Sequence, residues 1–163
     1  MTLDKGCHKE IREDVISFLE TLIDKRDILS SHTIGGDIHF YHSNEKNIEL
    51  AQPDIICLKD RKIRVVVEVE LSSRPKHLFG VASSINSSDY GSFKKQKFDF
   101  DSPILFIIVR SYGFDKKGSI KQFQIQVVRD EIKNLRLKGL SDIEVKRDDD
   151  YKSDMEDVIK AVF

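Results

Sequence analysis

The sequence predicts an α/β protein in which a mixed β-sheet carries helices on both of its faces. Three observations carry that prediction. Ile63 to Leu71 is rich in valine, and Pro103 to Val109 is an unbroken apolar run, so both have strand composition. Four other stretches suit amphipathic helices, three of them with apolar residues at three- and four-residue spacing. Helical and strand-like stretches alternate in the order α-β-β-β-α-β-α-β-α, which builds a layered α/β sheet. A chain of 163 residues suits one domain over 1–163 with a core of its own.

The first helix is expected over His8 to Asp24, where Ile11, Val15, Phe18, Leu19, Leu22 and Ile23 form one stripe. A loop with Ser30, Ser31, Gly35 and Gly36 follows. Asp37 to His42 alternates in the manner of a strand. Asp54 to Leu58 reads as a short apolar strand after Pro53, Lys59 to Lys62 as a polar turn, and Ile63 to Leu71 as the second arm of a hairpin. Pro75, with its fixed φ and missing donor, opens a helix that runs to about Asn86. Ser87 to Ser102 is polar and charged, with Gly91, and is expected to be partly mobile. Pro103 to Val109 has the pattern of a strand buried on both faces. Lys121 to Leu135 favours a helix, with Phe123, Val127, Val128, Ile132 and Leu135 on one stripe. Ile143 to Lys146 suits an edge strand. A last helix is expected from Ser153, with Ser at its cap and Glu156 three residues on.

Composition narrows the function. The chain is 39% hydrophobic and 34% charged, the balance of a globular protein. No apolar run approaches the roughly 20 residues that span a bilayer, and the N-terminus lacks the apolar stretch of a signal peptide. Two cysteines, Cys7 and Cys57, lie far apart without metal or redox spacing, which predicts reduced thiols in a cytoplasmic protein. Net charge is -1, so a nucleic-acid partner requires a local basic surface. Lys94, Lys95 and Lys97 form one candidate, and Lys116, Lys117 and Lys121 another. Acidic residues gather instead toward the tail, from Asp148 to Asp157.

The second hairpin arm carries the chemistry. Side chains alternate faces along a strand. Ile63, Val65, Val67, Val69 and Leu71 are expected on one apolar face, and Arg64, Val66, Glu68 and Glu70 on the other. Acidic residues are poor strand formers, and two on one face repel unless a cation or solvent lies between them. Mg²⁺ prefers hard oxygen ligands and is commonly held by one or two carboxylates with water. Asp54 supplies a third carboxylate if the hairpin register allows. It sits opposite Glu68 with a five-residue turn, and faces Val66, diagonal to Glu68, with three. Two or four put it on the wrong face unless a bend or bulge at Asp54 intervenes.

Pro53-Asp54, a short hairpin and Glu68-Val69-Glu70 together resemble the motif of the PD-(D/E)XK phosphodiesterase superfamily. The resemblance covers about Cys7 to Val109. It implies a restriction endonuclease-like αβββαβ core and an Mg²⁺-dependent (or Mn²⁺-dependent) DNA endonuclease. It further implies metal ligation by Asp54 and Glu68 and an activating lysine at the third motif position. Here that position is Glu70, as in a minority of restriction enzymes, and Lys76 is the candidate to supply the missing ammonium. The family often adds a carboxylate from the first helix, for which Glu10 is the candidate over Glu13 and Asp14. Duplex cleavage implies a homodimer or a partner subunit that carries DNA recognition. A non-catalytic nuclease-fold binding domain is the alternative that Glu70 favours. His32, His39 and His42 lack the spacing of a zinc site; His77 follows Lys76 and could contact phosphate.

Overall fold

A computed structural model describes residues 2–43, 47–71, 74–110, 126–128, 130–132, 134 and 137–163. Its order is α1 (Thr2–Glu20), a short 3-10 turn (Lys25–Asp27), β1 (Ile28–Ser30), β2 (His39–His42), β3 (Ile48–Ala51), β4 (Ile55–Lys59) and β5 (Lys62–Glu70). Then follow α2 (Pro75–Asn86), β6 (Tyr90–Phe93), β7 (Gln96–Val109), β8 (Asp142–Arg147) and α3 (Lys152–Val162). Residues 126–128 and 130–132 are helical, within the expected Lys121 to Leu135 helix. The second lysine cluster falls outside the described residues. None of the described helices is long and apolar enough to cross a membrane.

The eight strands form a mixed sheet in the order β1-β4-β5-β7-β6-β2-β3, with β8 on β7. β5, β7 and β8 run parallel, and β1, β4 and β5 antiparallel. Leu105 to Val109 is fully buried at the centre, and β8 is the expected edge. One face packs against Ile11, Val15 and Leu19 of α1 and Met155 and Ile159 of α3. The other packs against Leu78, Ala82 and Ile85 of α2 and the helical Val128 and Ile132. These are the spacings that make one helix face apolar. The α/β class with helices on both faces is therefore as the sequence predicts.

Several elements differ from expectation. α1 begins at Thr2 and ends at Glu20. β1 and β3 are short strands in stretches without clear alternation. α3 is capped by Tyr151 rather than Ser153, and it makes no side-chain cap bond; the Tyr151 hydroxyl instead donates to Asp14 Oδ2 at 2.6 Å. The polar stretch Ser87 to Ser102 is mostly strand. It holds β6 and the first half of β7, joined through Lys94 and Lys95, both left-handed (φ 50° and 65°). Its inward residues Phe93 and Phe98 join the α2-side core, while charged residues on the outward face mask the strand pattern.

The β4–β5 hairpin decides the site. Its turn is two residues, Asp60 and Arg61, both left-handed (φ 50° and 64°). A two-residue turn alone would put Glu68 and Glu70 into the α1–α3 core. The correction comes from a bulge. Leu58 pairs with Ile63 but Cys57 pairs with Val65, leaving Arg64 unpaired. Ile63 thereby joins Val66 on the α2 side, while Val65, Val67 and Val69 face α1 and α3. The expected single face for Ile63 and those valines is thus broken at Arg64. A bulge forfeits about one ladder hydrogen bond, worth roughly 1 kcal/mol net. Burying Ile63 stabilises by about 1.5–3 kcal/mol, so burial wins. The neighbouring strand yields at the same level: Ile63 pairs with Phe100 and Val65 with Ile104, and Ser102 is left-handed (φ 43°). The Arg64 guanidinium donates to the Asp101 carbonyl and ties the two irregularities together.

Candidate active site

Extending the register one step beyond the Ile55–Val67 pair sets Asp54 opposite Glu68. Asp54 lies at a bend just before β4, not inside it. Three bonds through buried Ser31 fix that bend. The Ser31 N–H donates to the Asp54 carbonyl at 2.8 Å, its hydroxyl donates to the Pro53 carbonyl at 2.7 Å, and the Ile38 N–H donates to that hydroxyl at 2.8 Å. The Asp54 carboxylate accepts the Val69 N–H at 2.8 Å. The backbone at Asp54 is thus pinned through Ser31, and its carboxyl is held at the sheet end by the Val69 N–H.

Asp54 and Glu68 are 4% and 9% exposed and stand opposite one another at the sheet end. Two carboxylates that close cannot both stay ionised in a poorly solvated place. Burial, then the neighbouring Asp54 charge, pushes the Glu68 carboxyl well above its usual range. Burial pushes Asp54 the same way, but bonds from His8, the Val69 N–H and Glu68 outweigh it and hold Asp54 below its usual range. Burial and mutual repulsion thus push the two carboxyls apart, Glu68 upward and Asp54 downward.

Glu70 stands two residues on, on the same face. Burial raises its carboxyl, and the His77 imidazole 2.7 Å away opposes the rise. His77 comes from the first turn of α2. Lys76 beside it is exposed and lines a cleft of about 740 Å³ between α2, β3 and Glu68. The residue in contact with Glu70 is thus His77, while Lys76 faces the cleft.

α1 contributes a residue that sequence reasoning missed. His8 Nε2 lies 3.4 Å from Asp54 Oδ2, and the bond to Asp54 raises the imidazole above its usual value. Glu10 is exposed. Residues two apart on a helix point in nearly opposite directions, so the turn that aims His8 at Asp54 carries Glu10 away. His32, in a left-handed conformation (φ 61°), sets its Nε2 3.6 Å from Asp54 Oδ1. The His8 and His32 rings meet edge to face, with centroids 6.0 Å apart. No spacing signals this pair, because 23 intervening residues separate two side chains joined only by tertiary structure. Among the described residues, no group of three or more His, Cys, Asp or Glu side chains stands ready-formed to hold a metal ion.

Lys94 and Lys95 form the β6–β7 turn, and Lys97 lies 4.5 Å above the Tyr90 ring. Lys94 passes over Gly35, three residues along the loop from His32. Three residues span about 10 Å at most, so this basic turn is joined to the carboxylate site by one short piece of chain.

Compared with family models, curated proteins and solved structures, the chain finds no match.

Proposed function

We propose that this chain is a divalent-metal-dependent endonuclease of DNA, with a PD-(D/E)XK-like site at the open end of the β4–β5 hairpin. The observation that carries the reading is the buried Asp54–Glu68 pair, set opposite one another by the hairpin register. Two acids held together by the fold, at the expense of ordinary ionisation, form a site for a cation. Their hard oxygens suit Mg²⁺ or Mn²⁺, which are commonly held by one or two carboxylates completed by water and phosphate. Asp54 and Glu68 would be the ligands, and the ion would supply Lewis acidity toward a phosphodiester and its attacking water.

The protein groups have separable tasks. The Val69 N–H and His8 hold Asp54 in its ionised form and fix its direction. Glu70, oriented by His77, stands where the family motif has lysine, and positions or deprotonates the water. Lys76, at the start of α2, offers its ammonium to the phosphate. Lys94, Lys95 and Lys97 extend the basic surface along the substrate backbone, which answers the absence of bulk positive charge. Cleavage of both strands of a duplex would use two copies or a partner subunit.

The deciding experiment incubates the full chain with duplex, single-stranded and branched DNA in Mg²⁺ or Mn²⁺, alongside Asp54→Ala and Asp54→Asn. Cleavage by the parent and loss of about 10²-fold or more in both variants is expected. No cleavage of any substrate, or equal cleavage by the variants, overturns the enzyme reading. Binding without cleavage would leave the non-catalytic alternative.

A further inference from the structure

The cleft beside Glu68 has a composition that the metal chemistry does not require. Its walls are apolar, formed by Leu50 and Ala51 of β3 and by Val81 and Ile85 of α2. Two neutral polar side chains stand among them, Gln52 and Ser84. The Gln52 amide nitrogen donates to Glu49 at 2.7 Å, which leaves its carbonyl oxygen to accept from a ligand. The cations Arg74 and Lys76 stand at the α2 N-terminal end, where the positive end of the helix dipole also favours an anion. Apolar walls with a few convergent polar groups, and an anion-binding end, match a base attached to a phosphate. Sites of about 300–1,000 Å³ hold one small molecule. A cleft of about 740 Å³ holds a nucleotide but not a double helix.

Gly80 supplies a second, independent observation. It lies inside α2 with an ordinary helical backbone, where glycine is less favourable than alanine by about 1 kcal/mol. No packing demand offsets that cost, since a Cβ built there meets nothing within 4 Å. Gly80 lines the cleft, and its missing side chain widens it at the middle of the helix.

We propose that the cleft bounded by β3 and α2 seats one unpaired nucleotide, base between Ala51 and Val81 and phosphate toward Lys76 and Glu68. The substrate is then single-stranded, bulged or splayed DNA rather than uninterrupted duplex. This rests on the nuclease reading for its substrate class, but the cleft's preference is measurable by binding alone. A paired base must first leave the stack to enter such a pocket, which costs binding unless it is already unpaired.

The test uses the full chain with Ca²⁺ in place of the activating ion. Fluorescence anisotropy is read on labelled single-stranded DNA, a perfect duplex and the same duplex with a one-nucleotide bulge. Bulged and single-stranded probes should bind about tenfold or more tightly than the perfect duplex. A bulge lacking its base should lose that advantage. Gly80→Leu fills open space and improves helix propensity, so its Tm should stay level or rise. Its preference for the bulge should fall to within about twofold, with perfect-duplex affinity unchanged. A perfect duplex that binds as tightly as the bulge overturns the inference, as does Gly80→Leu with its preference intact. If the bulge is preferred yet not hydrolysed in Mg²⁺ or Mn²⁺, the enzyme reading falls and the cleft assignment stands. If bulged and perfect duplex are hydrolysed equally well, the reverse holds.

Discussion

The His77 imidazole lies 2.7 Å from the Glu70 carboxylate, on the face of β5 that also carries Glu68. The two come from different elements, α2 and β5, and the bulge at Arg64 sets the face on which Glu70 meets the helix. Beside a partly buried acid, the imidazole opposes the rise that burial imposes on the Glu70 carboxyl. The prediction is directional. His77→Ala removes the opposing influence, so the Glu70 carboxyl rises further and stays protonated to higher pH. Carboxyl-resolved NMR titration should show the upward move, and the acid limb of the cleavage profile should shift to higher pH with it. A Glu70 titration identical in parent and variant would contradict the pairing.

Glu68 gives a stability test with a defined sign. Its folded-state carboxyl is raised well above the ordinary value of 4.5. The contribution of a raised group is fully present below its unfolded value and is lost as pH climbs toward the folded one. The parent should therefore lose stability relative to Glu68→Gln as pH rises from about 4.5. The Gln amide still donates toward Asp54 but carries no proton to lose. At pH 7 the variant should be the more stable, with a Tm higher by about 2–4 °C for each kcal/mol gained in a chain of this size. Parallel Tm–pH curves would refute the raised Glu68 carboxyl.

The same pair predicts a response to metal. Ligands that bind only the folded state stabilise it by about 2.7 kcal/mol at one hundred times their dissociation constant. Mg²⁺ or Mn²⁺ should raise the Tm of the parent and not that of Glu68→Gln, because the amide cannot replace the charged ligand. Equal shifts in the two proteins would place the ion elsewhere.

The hairpin turn is strained by its sequence. Asp60 and Arg61 both occupy the left-handed region, where side chains other than glycine are disfavoured by about 1–2 kcal/mol. Arg61→Gly should stabilise the fold by about 0.5–1 kcal/mol after the extra freedom of the unfolded chain is counted. Thermal unfolding decides it, and a lower Tm would show that Arg61 makes a compensating contact.

Cys57 is fully buried, and burial pushes its thiol up to about 12. Thiolates, not thiols, react with alkylating agents. Native protein should consume at most one equivalent of a maleimide, at partly exposed Cys7, and two after denaturation. Rapid labelling of Cys57 in the native state, seen by peptide mapping, would show that the α1-side core opens.

Much of this molecule is written in local pattern. The apolar stripes of α1 and α2, the valine-rich β5 and the fully apolar end of β7 each declare their type by periodicity, because one buried face requires it. Glu68 and Glu70 stand out for the same reason, as acids where a strand ought to carry apolar or neutral residues. Tertiary structure alone decided the rest. Whether Asp54 faces Glu68 depends on a bulge at Arg64, and that bulge is favoured because Ile63 finds a core to enter. His8 and His32 meet Asp54 only after α1 has docked on the sheet and Ser31 has pinned the Pro53–Asp54 bend. Lys76 yields Glu70 to His77 because their order around α2 is fixed by which helix face Leu78, Ala82 and Ile85 bury. Periodicity reports what one segment hides from water, but convergence of side chains from separate segments is set by the long-range packing that periodicity does not encode.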